Sequence, residues 1–284
     1  MNPEPIGTRV SKWGEGPVWH NNLLYYVDIA GQAVLSFDPN TGEEKEWSVD
    51  QQVGFVVPCK SGKLLCGGGR GFFYLDTTSG ETTDIHNPEP DIETNRINDG
   101  KCSPDGRAFG GSISMNKTTG AASLYRLDPD LSCHLAYKGV TNSNGIVWSL
   151  DAATCYYIDT PTRLVLAFDY SSETGELTNK REAFSTGAID ASPDGMAIDA
   201  NGHLWIAFCH GSCVVRFDPD TGEQLQRIEF PCMETTACAF GGPNGNDLYV
   251  TTGINGSKDE ELAGRLFVIR DIGVSGKPAF VFAG

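Results

Sequence analysis

Two short phrases recur along this chain at a regular interval, and that repetition restricts the fold more than any other feature. The first is an aromatic residue or Leu, then Asp, then a turn closing on Thr-Gly-Glu or a near equivalent. It occurs as FDPNTGE from Phe37, LDTTSGE from Leu75, FDYSSETGE from Phe168 and FDPDTGE from Phe217, with the shorter Leu127-Asp128-Pro129-Asp130 in the third place. The second is a tight turn ahead of an aromatic-rich segment, as at Lys60-Ser61-Gly62, Ser103-Pro104-Asp105-Gly106 and Asp199-Ala200-Asn201-Gly202. Helical periodicity is nearly absent, and short runs of Val, Ile, Phe, Tyr and Trp are punctuated by Gly, Asn, Asp and Pro, as in strands joined by turns. Six units of roughly 40–50 residues match the period of four-stranded propeller blades. The chain therefore reads as all-β, a six-bladed β-propeller over residues 1–284 with no internal domain boundary. Strands are expected near 16–19, 23–28, 33–37 and 44–49 in the first unit and near 195–199, 203–208, 213–217 and 224–230 in the fifth. The polar insertions 87–95 and 254–264 are expected to be loops at a channel mouth.

Aligning the units on their turns and stepping back five residues selects Glu15, Gly54, Asn98, Asn144, Asp194 and Thr236. Four of the six carry a carboxylate or carboxamide, each at the start of a blade's first strand, the strand that lines the central channel. Equivalent offsets place them at one depth, and a ring of oxygen donors around one axis suits a divalent cation. Asn-Gly and Asp-Gly pairs also mark ordinary turns, so Asn144-Gly145 or Asp194-Gly195 alone would carry little. Glu15 resists that reading. It stands between Gly14 and Gly16-Pro17 ahead of an apolar strand, where a buried carboxylate is costly unless paired or metal-bound.

Charge narrows the partners. Asp and Glu number 37 against 21 Lys and Arg, a net charge of −16, which repels nucleic acid and anionic membrane surfaces. No apolar run is long enough to span a bilayer, and the start lacks an apolar signal core, so a cytoplasmic protein is expected, as a monomer or weak homo-oligomer. Nine cysteines without CxxC spacing read as reduced, mostly buried thiols; Cys209 and Cys213 flank His210 but lack a second pair at zinc-finger spacing. No GxSxG elbow, HExxH, P-loop or GxGxxG pattern is present.

Several longer motifs resemble the regucalcin (senescence marker protein 30), gluconolactonase and luciferin-regenerating-enzyme family of six-bladed propellers. They run in order as GEGPVW at 14–19, NRINDGKCSPDGR at 95–107, SNGIVWSLD at 143–151, YYIDT at 156–160, PDGMAID at 193–199, LWIAF at 204–208, TTACAFGG at 235–242 and GRLFVI at 264–269. The resemblance implies Glu15, Asn144 and Asp194 as metal ligands, Asp194 also as candidate general base, and Arg96 and Asn98 as substrate contacts. Animal members carry a glutamate where this chain has Asn116; an amide there still bonds a sugar hydroxyl but takes no proton.

The expected activity is opening of sugar (aldono-) lactones by metal-activated water, the cation also polarising the carbonyl. The all-oxygen set favours Ca²⁺ first, with Mg²⁺ and Mn²⁺ close behind and Zn²⁺ still able to bind. Arg96 is expected to anchor sugar hydroxyls or the oxyanion through its fork of donors. Hydrolysis of another electrophile, such as an organophosphate triester, and a non-enzymatic calcium-binding or scaffold propeller are the competing readings.

Overall fold

The structure, a computed structural model, describes residues 2–254, 256 and 259–284. Six four-stranded antiparallel sheets are arranged as the blades of a propeller, and no α-helix occurs among the described residues. The innermost strands are Gly14–His20, Val53–Pro58, Asn95–Cys102, Ser143–Trp148, Ser192–Ile198 and Thr235–Gly241 for blades 1 to 6. Within blades 1 to 5 each later strand pairs outward in chain order. Blade 6 differs. Its inner three strands end at Leu266–Ile269, and the outermost is Glu4–Ile6 from the start of the chain, which closes the ring.

The repeated phrases build the turns. In FDPNTGE the Gly42 N–H bonds the Asp38 carbonyl at 2.7 Å with φ +74°, a left-handed conformation that favours glycine, and Gly80 and Gly222 repeat it. This turn joins the third and fourth strands of a blade. The other phrase joins the first and second.

Strands such as Val53–Pro58 and Leu204–Cys209 are buried at every residue rather than at every other one. A strand apolar on both sides needs cover on both sides. Here the cover is the adjacent blades. Each of six apolar clusters draws on two neighbours: Phe230, Phe240 and Phe267 join blades 5 and 6, while Ile6, Leu24, Tyr249 and Val268 join blades 6 and 1. Outer strands such as Glu44–Ser48 are mostly exposed and charged.

The inner strands begin earlier than expected, at 14 rather than 16 in blade 1 and at 192 rather than 195 in blade 5. The reason is a register shift, or β-bulge, in each of the six inner strands, at or beside the position selected from the sequence. A bulge leaves an extra residue out of the ladder and re-aims its side chain. At Gly54 only glycine fits, because a Cβ there would lie 2.2 Å from the Asn98 carbonyl oxygen.

The last residues close the channel at the end away from the bulges. Gly276 bonds Gly245 of blade 6, Phe282 bonds Pro58 of blade 2 and Ala283 bonds Gly106 of blade 3, so the segment spans the ring. The insertion 87–95 packs on blade 3 through Glu89, which accepts hydrogen bonds from Asn95, Ser112 and Tyr125. Of the 254–264 insertion, residues 255, 257 and 258 lie outside the described residues. No helix among the described residues is long and apolar enough to cross a membrane.

Phe282 is fully buried against blades 2 and 3. Phe282→Ala is expected to lower unfolding free energy by about 3–5 kcal/mol, measured by urea denaturation. An unchanged midpoint would mean that the tail is not part of the core.

Candidate functional site

At the bulge end of the channel lies an open cavity of about 640 Å³, lined by Glu15, Arg96, Asn98, Asn144, Asp194 and His210 among others. Five of the six residues singled out in the sequence meet there. Asn116 does not. Its strand ends at Ser114, and a turn closed by the Lys117 N–H on the Ser114 carbonyl leaves Asn116 exposed while Lys117 lines the cavity.

Local chemistry fixes the approach to each inner strand. Asp28, at the end of the second strand of blade 1, accepts the N–H groups of Lys12 and Trp13 just before Glu15. Asp159 does the same in blade 4 for Thr141 and Asn142, just before Asn144. Asn144 donates from Nδ2 to Thr160 Oγ1 at 2.7 Å, and its Oδ1 accepts from Asn98 Nδ2 at 3.2 Å. Asn98 Nδ2 also donates to the Ser143 carbonyl at 2.8 Å, tying blade 3 to blade 4.

Glu15, Asn144 and Asp194 are all buried. The Glu15 and Asp194 carboxyls lie within hydrogen-bonding reach of each other, and both are pushed above the ordinary carboxylate range. Burial is the main cause for each. For Glu15 the charges of Asp194 and then Asp99 add to it, and Asp99 acts on Asp194 as well. Arg96 faces this group; burial pulls its guanidinium down to about 10, and Glu15 opposes the fall. Two buried carboxylates beside a fixed carboxamide oxygen form a negative pocket that a hard cation satisfies. The residues present therefore fit a divalent ion. Among the described residues no three His, Cys, Asp or Glu side chains cluster tightly enough to form a site alone, so a cation here would need further oxygen donors such as a carboxamide.

Four neighbours were not legible in the sequence. Asp99 is buried beside the carboxyl pair. Cys209 donates its thiol to Asp194 Oδ2 at 2.7 Å. His210 meets buried Glu234 at 2.7 Å. Only the Cys209-His210-Cys213 spacing hinted at this region, and Cys213 packs in the apolar core instead. All nine cysteines are free, and all but Cys133 are buried.

Residues 13–254 match the family described as SMP-30/Gluconolactonase/LRE-like region. Regucalcin of Xenopus laevis is 37% identical over 99% of this chain and 98% of its own length, and regucalcin of Homo sapiens 36% identical over 95% of each. The chain belongs to the SMP-30/gluconolactonase/LRE-like family. Among solved structures, a luciferin-regenerating enzyme superposes with a TM-score of 0.91 at 28% identity over the full length of both chains. A calcium-binding regucalcin from Agrobacterium tumefaciens gives 0.93 at 24% identity over 100% of this chain and 98% of its own. A gluconolactonase from Xanthomonas campestris gives 0.76 at 22% over 94% of each. These last two share the propeller fold. Family membership accounts for the six blades and supports a lactonase-type activity.

Glu15→Gln removes one of two formal charges and is expected to weaken Ca²⁺ binding on the order of tenfold or more, measured by calorimetry; equal affinity would exclude Glu15 as a ligand. Because the folded pKa of Glu15 is raised, ionising it destabilises the metal-free fold as pH rises. The metal-free variant should therefore melt above wild type at about pH 8, with the gap closing toward about pH 4.

Proposed function

We propose that this protein hydrolyses sugar lactones with the help of one divalent cation, Ca²⁺ before Mn²⁺, Mg²⁺ or Zn²⁺, held by Glu15, Asn144 and Asp194. The observation that carries the proposal is the buried pair Glu15–Asp194 at the floor of an open cavity, beside Arg96. Membership of a family that includes gluconolactonases supports the choice of substrate. A cavity of about 640 Å³ accommodates a monosaccharide lactone.

A cation at this position supplies Lewis acidity toward a carbonyl and toward water. The chain's own residues do the rest. Arg96 presents a guanidinium fork to sugar hydroxyls or to the oxygen that gains charge as the carbonyl is attacked. Asn98, bridging blades 3 and 4, bonds Asn144 and lines the cavity, where it would border a sugar. The tail lies across the far end of the channel. Asp194 engaged by a dication is a weak proton acceptor, since a nearby positive charge favours its ionised form.

A pH-stat assay over five- and six-carbon aldonolactones tests this reading. Turnover is expected, lost after chelation and restored by added Ca²⁺ or Mn²⁺. Full turnover with a demonstrably empty site would overturn the cation's role. Cation binding without turnover of any lactone or phosphotriester would leave a calcium-binding propeller instead, like the regucalcin of Agrobacterium tumefaciens.

A further inference from the structure

We propose that His210, held by Glu234, carries the proton between water and the lactone ring oxygen; this role rests on the lactonase reading above. His210 follows the second strand of blade 5, Leu204–Cys209, and lines the cavity directly after Cys209, whose thiol bonds Asp194. Its main chain is left-handed, with φ +62°. A non-glycine residue holds that conformation at a cost and keeps it where its surroundings enforce it, often at functional positions.

The turn is closed by the Gly211 N–H on the Phe208 carbonyl, and Glu234, on the segment between the outer strand of blade 5 and the inner strand of blade 6, braces it from outside. Glu234 Oε2 accepts the His210 main-chain N–H at 3.0 Å, and Oε1 meets ring Nδ1 at 2.7 Å. One carboxylate thus fixes both the backbone and the ring. The Glu234 side chain is 1% exposed and that of His210 is 51% exposed, so a buried anion backs a ring open to the cavity. A carboxylate only accepts hydrogen bonds, which places the ring proton on Nδ1 and leaves a lone pair on Nε2. Among the described residues Nε2 has no hydrogen-bonding partner. A buried carboxylate behind Nδ1 fixes the tautomer and stabilises the imidazolium that forms when Nε2 takes a proton.

The water oxygen bonds to the lactone carbonyl carbon as one water proton passes to Nε2. The adduct then collapses. The bond from that carbon to the ring oxygen breaks, its electron pair stays on the ring oxygen, and Nε2 returns the proton there. The product is the open-chain hydroxy acid, and His210 ends neutral as it began. Asp194 is thereby freed from proton transfer and remains a cation ligand.

The test uses His210→Gly, because glycine accepts the left-handed backbone and leaves space for added imidazole, with His210→Asn as a second variant that also tolerates it. Both are expected to lower kcat by about 10²–10⁴-fold, the usual contribution of general acid–base catalysis, with KM and Ca²⁺ affinity little changed. Imidazole in the buffer should restore part of the loss in His210→Gly. Glu234→Gln should lower kcat in the same direction with KM unchanged. If wild type turns over and both His210 variants keep its kcat, the proposal falls and the lactonase reading stands. Loss without imidazole rescue and with raised KM also overturns it, assigning His210 to binding. If wild type opens no lactone, both fall together.

Discussion

Every blade of this protein has two apolar faces, and no sheet can bury both alone. That constraint makes the ring. Each face must meet the next blade, and the series ends only when Glu4–Ile6 pairs with Leu266–Ile269 and places Ile6 against Leu24 and Val268. Once the ring is closed, six inner strands converge on one axis, and whatever side chains their bulges turn inward must share that axis. The candidate site follows from closure as much as from its own residues.

Convergence has an electrostatic cost. Glu15, Asp99 and Asp194 are brought close together in a buried place, and the rise of all three carboxyls above their ordinary range expresses that cost, with burial as its first cause. The six apolar interfaces supply the stability that tolerates it. Such local conflict within an otherwise consistent fold marks functional positions. It also explains why the site fits a cation: a positive charge turns mutual repulsion into coordination.

Much of this was legible in the chain because turn chemistry is local. The glycine of FDPNTGE and its repeats is demanded by one left-handed position, so the phrase marks the outer turn of successive blades, while the turn between first and second strands recurs in all six units and aligns them. Five residues back from the other turn lay the bulge positions, and Glu15, Asn98, Asn144 and Asp194 do line one cavity with Arg96. What escaped depends on tertiary geometry. The bulges extend the inner strands but carry no residue signature beyond an occasional Gly. Asn116 is assigned only through the motif it shares a place in with animal relatives, and a motif does not show that the strand ends at Ser114, two residues short of it. His210 and Glu234 are 24 residues apart and belong to different parts of the ring, so nothing local pairs them. The closing role of Phe282 depends on a tail with no strand periodicity.

The central claim is that Glu15, Asn144 and Asp194 hold one divalent cation. Anomalous diffraction from crystals loaded with Mn²⁺ tests it most directly. The account predicts a single strong peak within coordination distance of oxygens from all three side chains. A peak elsewhere in the channel, or none at a Mn²⁺ concentration that supports turnover, would contradict it.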